Sequence, residues 1–153
     1  MKKDELRLWS ATFLRVLCGF ILFYASLDKI GEAAAFVKVV KNYHVVPPIF
    51  VPLTAVVIPW LEFFVGLALI TGFRWRGAAL IYTALMGIYA AALAWNLIMH
   101  ISMTCGCFAI NSTDRVTWFT VLRDVVLFAM GAVVLVFGRT RLAFDNVMGM
   151  KGR

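Results

Sequence analysis

Apolar residues fall into four long runs along this chain, at about 8–27, 50–71, 78–98 and 119–137, with short polar stretches between them. Each run is roughly 20 residues, the length an α-helix needs to cross a hydrocarbon core of about 30 Å. A helix of a soluble bundle keeps a polar stripe. The third run offers only Thr83 and Asn96 as clearly polar side chains. The pattern therefore predicts an all-α membrane protein, with four transmembrane helices joined by short connections in an up-down bundle, and 1–153 as one domain.

Between the first two runs the pattern changes. Phe36, Val39, Val40 and Tyr43 recur at helical spacing, and Lys38 and Lys41 lie off that stripe. This predicts a short interfacial helix within 32–46, lying along the outer surface. Pro47-Pro48 stops it and starts the next span. Gly72-Phe73-Arg74-Trp75-Arg76-Gly77 reads as a tight turn that makes the second and third spans antiparallel. Asn111-Ser112-Thr113-Asp114 supplies capping residues ahead of the fourth span.

Composition sharpens this picture. Hydrophobic residues make up 63% of the 153 and charged residues 15%, whereas a soluble domain is nearer one half and one quarter. Met1-Lys2-Lys3 opens the chain as a secretory signal would, but Arg15 interrupts the run and no small-residue cleavage site follows, so a retained span is expected. The net charge of +7 reads as membrane topology. Nothing resembles a nucleic-acid module, so no nucleic-acid partner is expected.

The basic residues give the sidedness. Lys2, Lys3, Arg7, Arg74, Arg76, Arg139, Arg141, Lys151 and Arg153 fall on the side of the termini, against Lys29, Lys38, Lys41 and Arg115 opposite. The positive-inside rule places both termini in the cytoplasm. The expectation is a multi-pass protein of a bacterial inner (plasma) membrane, with the third loop in the periplasm, where a disulfide persists. Trp9 and Trp75 near inner ends, and Trp95 and Trp118 near outer ends, agree with this layout, whereas Trp60 falls mid-span.

That third loop carries Cys105-Gly106-Cys107. Two thiols one glycine apart can close a small, strained and easily reduced ring, which suits a bond made and broken repeatedly. They also suit a static staple, or, with Met103 and His100 nearby, a Cu(I) site. Cys18, deep in the first run, reads as a small buried residue. Arg123 in Arg123-Asp124, and Lys29 just past the first span, are cations at the level of the cysteines and candidates for stabilising a thiolate. Simple interfacial anchoring is the competing reading. His44 and His100 are candidate proton carriers on the outer side.

Inside the membrane, Arg15 and Glu62 lie at similar depths, about 10 Å and about 13 Å from the inner ends of their spans, close enough for an ion pair; pairing or protonation is expected, with snorkelling of Arg15 to the inner surface as the competing reading. Pro59 should loosen the second span beside Glu62 and Trp60. A cavity there suits either a quinone ring as cofactor or only a water.

Taken together these residues resemble the MauE (methylamine utilisation) family within the DoxX-like membrane proteins. The matching pieces are Leu27-Asp28-Lys29-Ile30, Tyr43 with Val46-Pro47, the stretch from Glu62 to Gly72, Cys105-Gly106-Cys107-Phe108 and Arg123-Asp124. Ala109 departs from the glycine expected after the phenylalanine. The resemblance implies a four-span inner-membrane protein linked to maturation of the disulfide-rich small subunit of methylamine dehydrogenase, beside a thioredoxin-like partner. It also implies an architecture similar to the disulfide-generating bundles of the DsbB and vitamin K epoxide reductase types. Those carry two cysteine pairs, so the one pair here would need a partner's thiols. The function expected is thiol-disulfide exchange with a periplasmic thioredoxin-like or client protein. The alternatives are a non-enzymatic assembly factor or membrane anchor, and a Cu(I)-binding membrane protein.

Overall fold

A computed structural model describes the backbone of residues 2–42, 47–99 and 118–137, with side chains from residue 9 onward. The described residues are all-helical: α1 Lys2–Gly31, α2 Ala33–Asn42, α3 Val51–Thr71, α4 Trp75–Ile98 and α5 Trp118–Phe137, with a single 3-10 turn, Pro48–Phe50, before α3. Four stretches, Trp9–Gly31, Pro48–Thr71, Trp75–Ile98 and Trp118–Val136, are long and apolar enough to cross a membrane. They coincide with the four runs in the sequence, except that the first extends to Gly31.

Large apolar side chains cover the outside of these helices. Phe13, Phe20, Phe64, Trp118 and Phe119 are each at least 60% exposed, as suits lipid-facing surfaces and not water. The interior is built from Cys18 and Leu22 of α1, Val65 and Leu69 of α3, Tyr82 and Met86 of α4, and Leu127 and Val134 of α5.

Two helix contacts set the geometry. The α1–α3 contact depends on glycine. A Cβ on Gly66 would lie 2.9 Å from the Gly19 carbonyl oxygen and 2.9 Å from the Phe23 backbone nitrogen. Small residues let backbones approach this closely in membranes. The Phe23 and Phe63 rings stack at 5.0 Å beside the crossing. Along this seam Gly19 meets Gly66 and Phe23 meets Phe63, so the two helices run in opposite directions. The α4–α5 contact is similar: Gly131 sits against Tyr82 and Thr83, and Gly87 against Phe128.

The turn between α3 and α4 follows its sequence. Gly72 takes a left-handed φ of 77° and its N–H donates to the Ala68 carbonyl at 2.9 Å, a common helix stop. Arg74 also adopts a positive φ, 42°, immediately before α4. Helix α2 forms where the stripe predicted it, and buries Phe36, Val39 and Val40 against Val51 and Ala55 in the first turns of α3. Pro59 lies inside α3, which continues through it to Thr71.

Candidate functional site

The polar centre of the bundle is built on Glu62. Its helix buries one face through Ala55, Pro59, Glu62, Val65, Gly66 and Leu69, a spacing that places Glu62 among apolar core residues. Glu62 is fully buried and Lys29 is 3% exposed. The Lys29 ammonium donates to both carboxylate oxygens at 2.7 Å. The Tyr89 hydroxyl of α4 donates to Glu62 Oε1. Lys29 Nζ also lies 5.1 Å from the centre of the Tyr89 ring and 5.7 Å from that of Phe36, within cation–π range. Four helices thus converge on one ion pair. Each partner satisfies the other where an isolated charge would be costly.

This arrangement corrects the expected Arg15–Glu62 pair, for a reason found in helix geometry. Side chains lean toward the N-terminus of their own helix. Because α1 and α3 run in opposite directions, Lys29 leans back toward the level of Phe23 and Glu62 leans up to meet it. Arg15 lies 14 residues before Lys29 in the same helix, about 21 Å along the axis, and the same lean carries it away from Glu62. It is buried. Lys29 itself is not past the end of the first span, as expected, but inside α1. As an interior residue it no longer counts among the loop charges.

Trp60 does not join the cluster. One position off the buried face, it is 47% exposed and packs on Phe63 and Phe64. The cavity beside Glu62 is lined by Ile21, Leu22, Ala25, Lys29, Tyr82, Met86 and Tyr89 in addition to Glu62 itself, and has room for about one water molecule. A quinone ring does not fit there, and neither Trp60 nor Arg15 lines it.

Helix α5 adds a second pair. Arg123 donates through Nε and Nη2 to Asp124 Oδ1 at 3.1 and 3.0 Å. Asp124 is 1% exposed and Arg123 35%. Asp124 is also close enough to Lys29 for an electrostatic interaction. Glu62 lies mid-way along α3, whereas Lys29 and Asp124 lie nearer the end of the bundle where α1 and α4 end and α3 and α5 begin. The segment 100–117 connects the end of α4 to the start of α5. Cys105, Cys107, Met103, His100 and the capping residues Asn111 to Asp114 lie in that segment, and His44 lies in 43–46. All are outside the described residues. Cys18 is buried, a free thiol beside Tyr82.

Sequence reasoning found Glu62 and Lys29 separately but missed Tyr89 and the pairing. An acidic residue in mid-span called for a partner. The hydroxyl of a tyrosine in an otherwise apolar run was the unread signal.

The family model described as methylamine utilisation protein MauE matches residues 7–137. The MauE protein of Paracoccus denitrificans is 32% identical over 128 residues, covering 83% of this chain and 67% of that protein. The MauE protein of Methylorubrum extorquens is 28% identical over 117 residues, covering 76% and 63%. That of Methylophilus methylotrophus is 31% identical over 128 residues, covering 81% and 66%. The chain therefore spans about two thirds of the length of these curated relatives. No solved structure matches.

Proposed function

The chain belongs to the MauE family, and from that premise we propose that it is an inner-membrane thiol-disulfide redox protein serving methylamine utilisation. In this reading 1–153 is one membrane domain of four spans in up-down order. The termini are cytoplasmic, α2 lies along the periplasmic surface, and Cys105-Gly106-Cys107 faces the periplasm.

The observation that carries the proposal is where the cysteine segment is attached. It links the end of α4 to the start of α5, whose second turn carries the Arg123–Asp124 pair. Arg123, five residues into α5 and partly exposed, is the cation best able to favour a thiolate there. Lys29 is held by Glu62 and supports the bundle. The exchange runs as follows. A thiolate of a client dithiol attacks one sulfur of the Cys105–Cys107 disulfide, and that S–S bond breaks to give a mixed disulfide. The second client thiolate displaces it. The client leaves oxidised, and Cys105 and Cys107 hold the two electrons and two protons. A thioredoxin-like partner in its disulfide form restores the pair by the same exchange, and is itself reduced.

The test is to replace both cysteines (Cys105→Ser with Cys107→Ser) and follow the thiol state of a periplasmic thioredoxin-like protein by alkylation. Its redox state should no longer respond to the membrane protein. Full exchange by the double variant refutes the proposal. The Cys107→Ser single variant should trap a mixed disulfide, which a passive anchor would never form.

A further inference from the structure

We infer that the turn between α3 and α4 binds the headgroup of one anionic phospholipid, whose acyl chain lies along the adjoining lipid-facing stripe of α4. Three observations carry this. First, Arg74 and Arg76 are both exposed where two apolar spans end, the level at which a bilayer places its headgroups. Second, the two cations are set in place by their surroundings. The Arg76 guanidinium lies 5.4 Å from the centre of the Trp75 ring, within cation–π range. Arg74 precedes α4 at a φ of 42°, a backbone that is costly for any residue but glycine and that recurs at ligand clamps. Third, Gly77, Leu80, Ile81, Ala84 and Ile88 are exposed along one face of α4, with Leu80 one turn beyond Arg76 on the same side. At Gly77 nothing lies within 4 Å of the place a Cβ would take, so the stripe is open directly beside the basic pair.

The chemistry of these groups selects the occupant. A guanidinium presents a planar fork of N–H donors that matches phosphate oxygens. Two of them so close together favour a headgroup of net negative charge over a zwitterionic one, whose own cation they repel. No Asp or Glu occurs in 63–113, so the helices that form the turn bring no carboxylate beside it to repel a phosphate. The apolar stripe separates a lipid from a free anion. Leu80, Ile81 and Ile88 offer an acyl chain contact, and the bare Gly77 leaves room for the glycerol backbone beside Arg76. A free phosphate gains nothing from either. In the proposed orientation the turn faces the cytoplasmic leaflet. This inference does not rest on the redox reading, and its test does not touch Cys105 or Cys107.

The experiment is native mass spectrometry of the full chain in detergent, titrated with phosphatidylglycerol or with phosphatidylcholine. One phosphatidylglycerol should be held about tenfold or more tightly than phosphatidylcholine, since each arginine at a membrane surface is worth about a factor of five toward anionic lipid. Arg74→Gln with Arg76→Gln should abolish that preference. Lys38→Gln with Lys41→Gln, which removes the exposed basic pair of α2, should leave it intact. Gly77→Leu keeps both arginines but fills the open stripe, and should weaken phosphatidylglycerol binding several-fold. It decides the matter if the arginine variant fails to fold. Inorganic phosphate at millimolar concentration should not displace the lipid. The inference is overturned if the unaltered chain shows no preference, or if the preference survives loss of Arg74 and Arg76 or follows the α2 pair instead. Unchanged binding in Gly77→Leu, or displacement by inorganic phosphate, overturns it as well, because the turn then holds no acyl chain or takes a free anion.

Discussion

At the scale of single residues, the Glu62 carboxylate is held by Lys29 and Tyr89 and has no described access to bulk water. Taking away Lys29 leaves a carboxylate buried without its counter-charge, a change that costs about 3–5 kcal/mol in protein interiors. Lys29→Ala should therefore unfold at markedly lower temperature or denaturant than the unaltered chain, as read by circular dichroism in detergent. Replacing both charges together, Lys29→Met with Glu62→Met, should recover most of that loss, since no lone charge remains. Equal loss in the single and double variants would show that the pair does not act as a unit. Tyr89→Phe removes one donor from the cluster and should cost less than Lys29→Ala, because the charges still neutralise each other.

At the scale of helices, the α1–α3 crossing allows no added side chain at Gly66, because the obstructing atoms are backbone. Gly66→Ala should destabilise by roughly 1–3 kcal/mol, as overpacking does. Gly77→Ala is the control. Nothing lies within 4 Å of a Cβ there, and alanine is the better helix former, so stability should hold or rise. Chemical denaturation of the two variants in the same detergent gives the comparison. The helices themselves were legible in the chain. Apolar run length gave the spans to within about four residues. The spacing of Phe36, Val39 and Val40 gave α2, and Gly72 gave the turn. Pairing between helices was not legible. Depth from a span end is a one-dimensional measure, and it ranked Arg15 beside Glu62. The lean of side chains on oppositely directed helices decided for Lys29, and that needs the three-dimensional crossing. Trp60 was misplaced similarly, because closeness in sequence to Glu62 hid a rotation of two residues around the helix.

At the scale of the whole molecule, the described spans present an apolar exterior and a small polar centre displaced toward one end. The proposed orientation puts that end, with the cysteine segment, on the periplasmic side. A membrane-impermeant thiol reagent applied to intact, reduced spheroplasts should label Cys105 and Cys107, and leave Cys18 unlabelled because it is buried. Labelling of the pair only after membrane disruption would reverse the orientation and remove the proposed partner from reach. The candidate thiols were legible as a motif from the chain alone. The polar cluster was not, since Lys29, Glu62 and Tyr89 come from three different spans and meet only through the fold.

The close glycine crossing of α1 on α3 has a consequence for the ion pair next to it. Sliding one helix along the other by a single turn, about 5.4 Å, would drive a larger side chain into the gap that only hydrogen atoms now fill. The same slip would draw the ammonium of Lys29 away from its carboxylate. Steric exclusion at one level and charge attraction at the next thus forbid the same movement, and the two helices are indexed to each other twice over.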